Sequence, residues 1–190
     1  MNLFSLFRRK PHERPGFMLY GSAVAAARDG WFYGALAVPD TLDGRFDTVG
    51  LHVALLIRRL RTDPDPRGAA LAQAVFDAMF ADMDVNLREM GVGDLSVGKK
   101  VKAMWEAFHG RARAYEAAVT AADADALARA LQRNLWREEP AESGPRAEAL
   151  ALAGHTLAVA AQLAEQPLAG LLRGNASFPA TPVEGSPHAA

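Results

Sequence analysis

Phe76, Phe80, Met83, Leu87 and Met90 recur at spacings of four, three, four and three. An α-helix brings such positions onto one face, whereas a strand would scatter them over both. The stripe therefore predicts a helix over about Gly68–Met90, ended by Gly91. Val49, Val53, Leu56 and Leu60 repeat the same period, and Asp47 before them reads as the N-cap of a helix running to about Arg61. A third stripe, Val101, Met104, Trp105, Phe108, Ala112, Tyr115 and Val119, predicts a buried face on a helix over about Gly98–Ala121. No run alternates convincingly with period two. Together these features predict an all-α chain, a single compact bundle of about six helices with flexible N- and C-terminal tails.

The remaining helices are bounded by turn and cap residues. One is expected from about Phe17 to Arg28, stopping near Gly30. Trp31 to Val38 reads as a short second helix ended by Pro39. A shorter helix starts at Asp123 or Asp125 and ends before Pro140. Ser143-Gly144-Pro145 restarts the chain, with Pro145 suited to a first helical turn. The last helix is expected to reach about Leu172, with a kink at Pro167. The 190 residues suit one domain, and half of them are apolar, enough for a real core. Residues 1–16, basic and containing Pro11 and Pro15, read as a flexible arm. Residues 17–172 form the helical domain, and 173–190, with three prolines among small residues, read as a disordered tail.

Several chemistries are excluded or unsupported. The chain holds no cysteine, which removes disulfides, thiolate metal sites and cysteine nucleophiles. A net charge of −1 argues against nucleic acid as the primary target. Asp82, Asp84 and Asn86 imitate the start of a calcium loop, but the glycine and closing glutamate positions hold Leu87 and Gly93. Gly91 and Gly93 imitate a dinucleotide turn, yet a helix precedes them. The histidines His12, His52, His109, His155 and His188 form no metal-binding pattern. His52 and His155 read as hydrogen-bonded core residues and His109 as solvated. No catalytic constellation emerges, so no enzymatic activity, metal or cofactor is expected. At the N-terminus Leu3, Phe4, Leu6 and Phe7 precede Arg8, Arg9 and Lys10, the reverse of a secretory signal. The run Ala149 to Ala164, interrupted by His155, Thr156 and Gln162, is too short and polar to read as a membrane span. The expectation is a soluble, cytoplasmic protein, with peripheral contact at the inner face of the membrane open to the Leu3–Lys10 segment.

Charge is unevenly placed. Asp77 to Asp94 carries five anions and one cation, and Lys99 to Arg113 five cations and one anion. Lys99, Lys100 and Lys102 fall in the expected first turn of their helix, where cations oppose the helix dipole. The two segments either pair with each other or present a surface that orients a partner. Arg58, Arg59 and Arg61 form a second basic cluster at a helix C-terminus, which the dipole favours.

The segment WFYGALAVPDTLDGRF, from Trp31 to Phe46, and the block FDAMFADMDVNLREMGVGDLSVGKKVK, from Phe76 to Lys102, are specific. Taken with Leu51-His52, they resemble the ubiquinol–cytochrome c chaperone family, assembly factors for respiratory complex III in mitochondria and related bacteria. The resemblance spans about Phe17 to Leu172. It implies an all-helical, non-enzymatic protein that binds newly made cytochrome b or another complex III subunit. Mitochondrial members act with a small partner protein and associate with the ribosome. This sequence shows no transit peptide or spanning helix, which suggests a bacterial, cytoplasmic member. Tyr33, Asp40, Asp43, Arg45, Asp47 and His52 fall in the first matching region. Asp82, Asp84, Arg88, Glu89, Asp94, Lys99 and Lys102 fall in the second. Asp40, Asp43 and Asp47 suit turns or caps. Tyr33, Arg45, Asp82, Asp84, Arg88, Glu89, Lys99 and Lys102 are the expected partner-binding residues. An acidic helix face would hold basic loops of a nascent membrane subunit, and an apolar groove would shelter a short hydrophobic segment. Two other readings stay open: a peripheral membrane adaptor, and a helical small-ligand protein whose pocket gathers His52 with Asp and Arg side chains.

Overall fold

The computed structural model describes residues 12–182. Its elements, in order, are α1 (Glu13–Ala27), α2 (Gly30–Tyr33), α3 (Leu42–Arg61), α4 (Pro66–Glu89), α5 (Asp94–Ala121), α6 (Ala124–Leu131), a π turn (Gln132–Trp136), α7 (Ala147–Glu165) and α8 (Leu168–Leu171). The fold is all-α, and the described residues contain no strand.

α3 is the axis of the bundle. Val53, Leu56 and Leu60 are fully buried, and the helix packs against α1, α4, α5 and α7. α1 lies chiefly against α4. Gly16 makes that approach possible, since a Cβ there would sit 2.7 Å from the backbone of Ala74. α6 packs on α7 and α5. The indole of Trp136 then closes the π turn onto the α2–α3 connection by donating to the Leu36 carbonyl at 3.1 Å.

Local chemistry explains most helix starts. Thr41 Oγ1 accepts from the Gly44 amide at 3.1 Å, so α3 begins at Leu42 rather than after Asp47. Asp47 is no cap; it lies inside α3 and is buried. Asp65 caps α4 with Pro66 in its first turn, and Asp123 caps α6. α5 begins at Asp94, four residues before the expected Gly98. The lysines at 99, 100 and 102 therefore lie beyond its first turn, and the anion Asp94 occupies the dipole's positive end.

Helix ends and flanks differ from the sequence reading in four places. Of the 31–38 segment only residues 31–33 are helical, and the chain then turns with Ala37 at φ 50°. α7 stops at Glu165, because Gln166 precedes Pro167 and adopts an extended backbone. α1 already begins at Glu13, so 13–16 is its first turn rather than part of an arm; residues 1–11 lie outside the described residues. The described part of the expected tail folds back. Ser177 exchanges two hydrogen bonds with Gln166, at 2.8 and 3.0 Å, and the Phe178 ring lies 5.6 Å from that of His52.

α7 is long and apolar enough to cross a bilayer. This corrects the reading of Ala149 to Ala164 as too short and polar for a span; about a third of the stretch, with Leu152, Val159 and Leu163, is buried in the bundle.

Candidate functional site

Three of the eight residues expected to bind a partner gather around one pocket. Tyr33 from α2, Arg45 from α3 and Asp82 from α4 ring a depression of about 150 Å³ floored by Val24, Phe46, Val49 and Met83. The Tyr20 hydroxyl donates to Asp82 at 2.7 Å, and the Tyr33 hydroxyl donates to the Ala27 carbonyl at 3.0 Å. Burial, reinforced by the Asp82 carboxylate, pushes the Tyr20 phenol well above its ordinary range. Arg45 stacks over the Tyr33 ring at 5.3 Å while forking onto Asp40 at 2.5 and 3.0 Å. The hydrogen bond from Arg45 holds the Asp40 carboxyl below the usual range.

The other five lie elsewhere. Arg88 bridges Asp84, at 2.7 Å, and Asp94, tying the end of α4 to the start of α5. Lys102 lies 3.7 Å from Glu106 on its own helix. Glu89 and Lys99 are exposed. The acidic end of α4 is thus partly neutralised by its own arginine.

The sequence reading expected an apolar groove without saying where it lies. α3, α4 and α5 enclose an open groove of about 910 Å³, with Ala54, Ile57, Ala69, Ala72, Phe76, Trp105, Phe108 and Ala112 as its apolar lining. The periodic stripe of α4 is the edge of the core rather than its centre. Leu71, Val75 and Met79 are fully buried, whereas Phe76, Phe80 and Met83 are half-buried and Met90 is exposed. In the first half of α5 only Val97 is buried, and Trp105 is 46% exposed. His109, expected to be solvated, packs its ring 4.2 Å from Trp105 and 5.4 Å from Phe76. Partial burial, with Arg113 and Arg61 nearby, lowers its pKa. Periodicity announces an apolar face; it carries no signal that a neighbouring helix will leave part of that face uncovered.

His52 is the hydrogen-bonded core histidine the sequence suggests. Its Nδ1 lies 2.8 Å from the Thr48 carbonyl, so that nitrogen carries the proton, and burial pulls its pKa down to about 4. The rings of Phe32, Phe178 and His155 surround it. Beside it, Arg28, Asp29 and His155 help line a cavity of about 240 Å³. Asp47 lies deeper, hydrogen-bonded by Arg111 and by Arg137. Burial pushes its carboxyl up against the opposing pull of both guanidiniums. The described residues contain no group of three or more His, Asp or Glu placed to hold a metal ion.

The sequence profile of the ubiquinol-cytochrome C chaperone family matches residues 34–178. The chain belongs to this family. The crystal structure of the Cbp3 homolog from Brucella abortus superposes with a TM-score of 0.78 at 38% identity, covering 95% of this chain and 98% of that one. No curated protein matches the chain. The chaperone-family match takes in α3 to α8, and with them every residue lining the groove.

Proposed function

We propose that this protein is a non-enzymatic assembly chaperone for ubiquinol–cytochrome c reductase that binds newly made cytochrome b at the cytoplasmic side of the membrane. The open apolar groove beside α4, in a chain of this family, carries the reading. A nascent membrane subunit exposes apolar segments and basic loops before it is assembled. The groove shelters a short apolar stretch, and the acidic side of α4 around Asp82, Asp84 and Glu89 holds basic loops through wet, reversible contacts. The pocket of Tyr33, Arg45 and Asp82 accepts a single large side chain. Such a protein lends surface and transforms nothing.

Recovery of newly made cytochrome b with the tagged protein tests the contact. Charge reversal at Asp82, Asp84 and Glu89 together is expected to reduce that recovery and to make the remainder less sensitive to salt. Unchanged recovery removes the acidic face from the reading. Deleting the gene is expected to remove complex III while leaving other respiratory complexes in place; a full complex III in the deletion strain overturns the function itself.

A further inference from the structure

The groove has a shape and a charge that specify what fits it. Its lining runs from Ala54 on α3 to Thr62 just past that helix, from Ala69 to Phe76 on α4 and from Trp105 to Glu116 on α5. At 1.5 Å per residue these walls are roughly 11 to 17 Å long. Ala54, Ala69, Ala72 and Ala112 keep the walls low, so that another backbone can come close. All three walls are helices, whose backbone groups are already paired along their length. An extended peptide laid here would find no strand edge to bond, whereas a helix brings its own hydrogen bonds.

The rim is cationic. The arginines at the end of α3 divide their work. Arg59 is structural, donating to the carbonyls of Leu163 and Gln166 and to Asp63. Arg58 and Arg61 turn to the groove instead. Arg58 donates to Thr120 at 3.3 Å, but its Nε has no hydrogen-bond partner and lies 3.8 Å from Glu116. Arg61 is exposed and enters no ion pair among the described residues. The two arginines outnumber the single acid of the lining, Glu116, which lies beside Arg58.

We propose that this groove seats an amphipathic helix of a partner protein, its apolar face along Phe76, Trp105 and Phe108 and a carboxylate at its edge against Arg58 and Arg61. The inference rests on the chaperone reading only in making that partner a protein under assembly. The chain's own Leu3–Lys10 segment is a poorer occupant, because Arg8, Arg9 and Lys10 would meet like charge.

The test uses the full-length protein and two synthetic, end-capped peptides of about three helical turns, matching the groove's length. Both have a Leu/Ala apolar face; one carries a Glu at its edge and the other a Lys. Calorimetry gives affinity, and emission from half-exposed Trp105 reports the site, with Trp105→Phe as its control. The Glu peptide is expected to bind about ten-fold tighter than the Lys peptide, the scale of one charge-assisted contact. That preference collapses in the Arg58→Gln/Arg61→Gln protein. Ala69→Leu, at an exposed position of the lining, weakens both peptides by about ten-fold without changing the melt. Equal binding of the two peptides, a preference that survives the double substitution, or indifference to Ala69→Leu overturns the proposal. So does a dimer that Ala69→Leu dissociates, or a marked tightening of peptide binding when residues 1–10 are deleted. Failure of the chaperone reading looks different: complex III assembles in cells without the gene, while the peptide preference stands.

Discussion

The carboxylate of Asp47 on α3 accepts a hydrogen bond of 2.6 Å from Arg137, just past the π turn, and a second from Arg111 on α5, while only 1% of its side chain is exposed. One buried anion thus pins three parts of the bundle that are far apart in sequence. Removing one partner of a buried pair costs more than the pair contributes, because charge is left uncompensated. Arg111→Ala, which leaves the buried Asp47 carboxylate short of a partner, is expected to lower stability by about 3 kcal/mol, read from urea unfolding. A loss below about 1 kcal/mol, the range of an exposed pair, would contradict this account.

His52 gives a pH signature. Its folded pKa of about 4 lies below the ordinary 6.5, so the unfolded chain takes up this proton first as the solution is acidified. Its contribution is fully present above pH 6.5 and is lost progressively down to about pH 4. His155, also lowered by burial, acts in the same direction. Urea midpoints measured between pH 7 and pH 4 should fall, and His52→Gln should flatten the fall. An imidazole that titrates near 6.5 by NMR would show that the ring is not held neutral.

Two glycines of α1 predict opposite signs. A Cβ at Gly16 would meet Ala74 at 2.7 Å, while one at Gly21 would meet nothing within 4 Å. Gly16→Val is expected to lose about 2 kcal/mol by prising α1 from α4, within the range for overpacking. Gly21→Ala is expected to gain up to about 1 kcal/mol from helix propensity alone. Thermal melts of the two proteins separate the cases, and equal effects would refute the close approach.

Trp105 and Phe108 sit three residues apart on α5 but differ in burial, 46% against 5% exposed. Phe108→Ala is expected to cost about 3 kcal/mol or more, and Trp105→Ala distinctly less because its indole already meets water. On the proposed function the order reverses for client recovery, with Trp105→Ala the damaging change at near-native stability. Chemical denaturation beside cytochrome b recovery checks both.

The sequence carried much of this. The helical period of Phe76 to Met90 and the start at Asp123 act over a few residues, so they can be read locally; the cap at Asp65 and the full break before Pro167, expected only as a kink, were not read. Family membership was legible in the blocks from Trp31 to Phe46 and from Phe76 to Lys102. The role of Asp47 was not. An aspartate at the head of an apolar stripe looks like a cap, and only the distant Arg111 and Arg137 make it a clamp. The convergence of Tyr33, Arg45 and Asp82 on one pocket likewise joins segments separated by dozens of residues.

Period, capping and punctuation determined by themselves that this chain forms helices, roughly where, and of which family. How those helices lean on one another was decided only in three dimensions. Gly16 let α1 take one side of α4, and the first half of α5 kept only Val97 buried. Each of those choices depends on contacts between residues far apart in the chain, where no local pattern acts. From them come the open groove and the distinction between an arginine that holds the fold and two that line the groove.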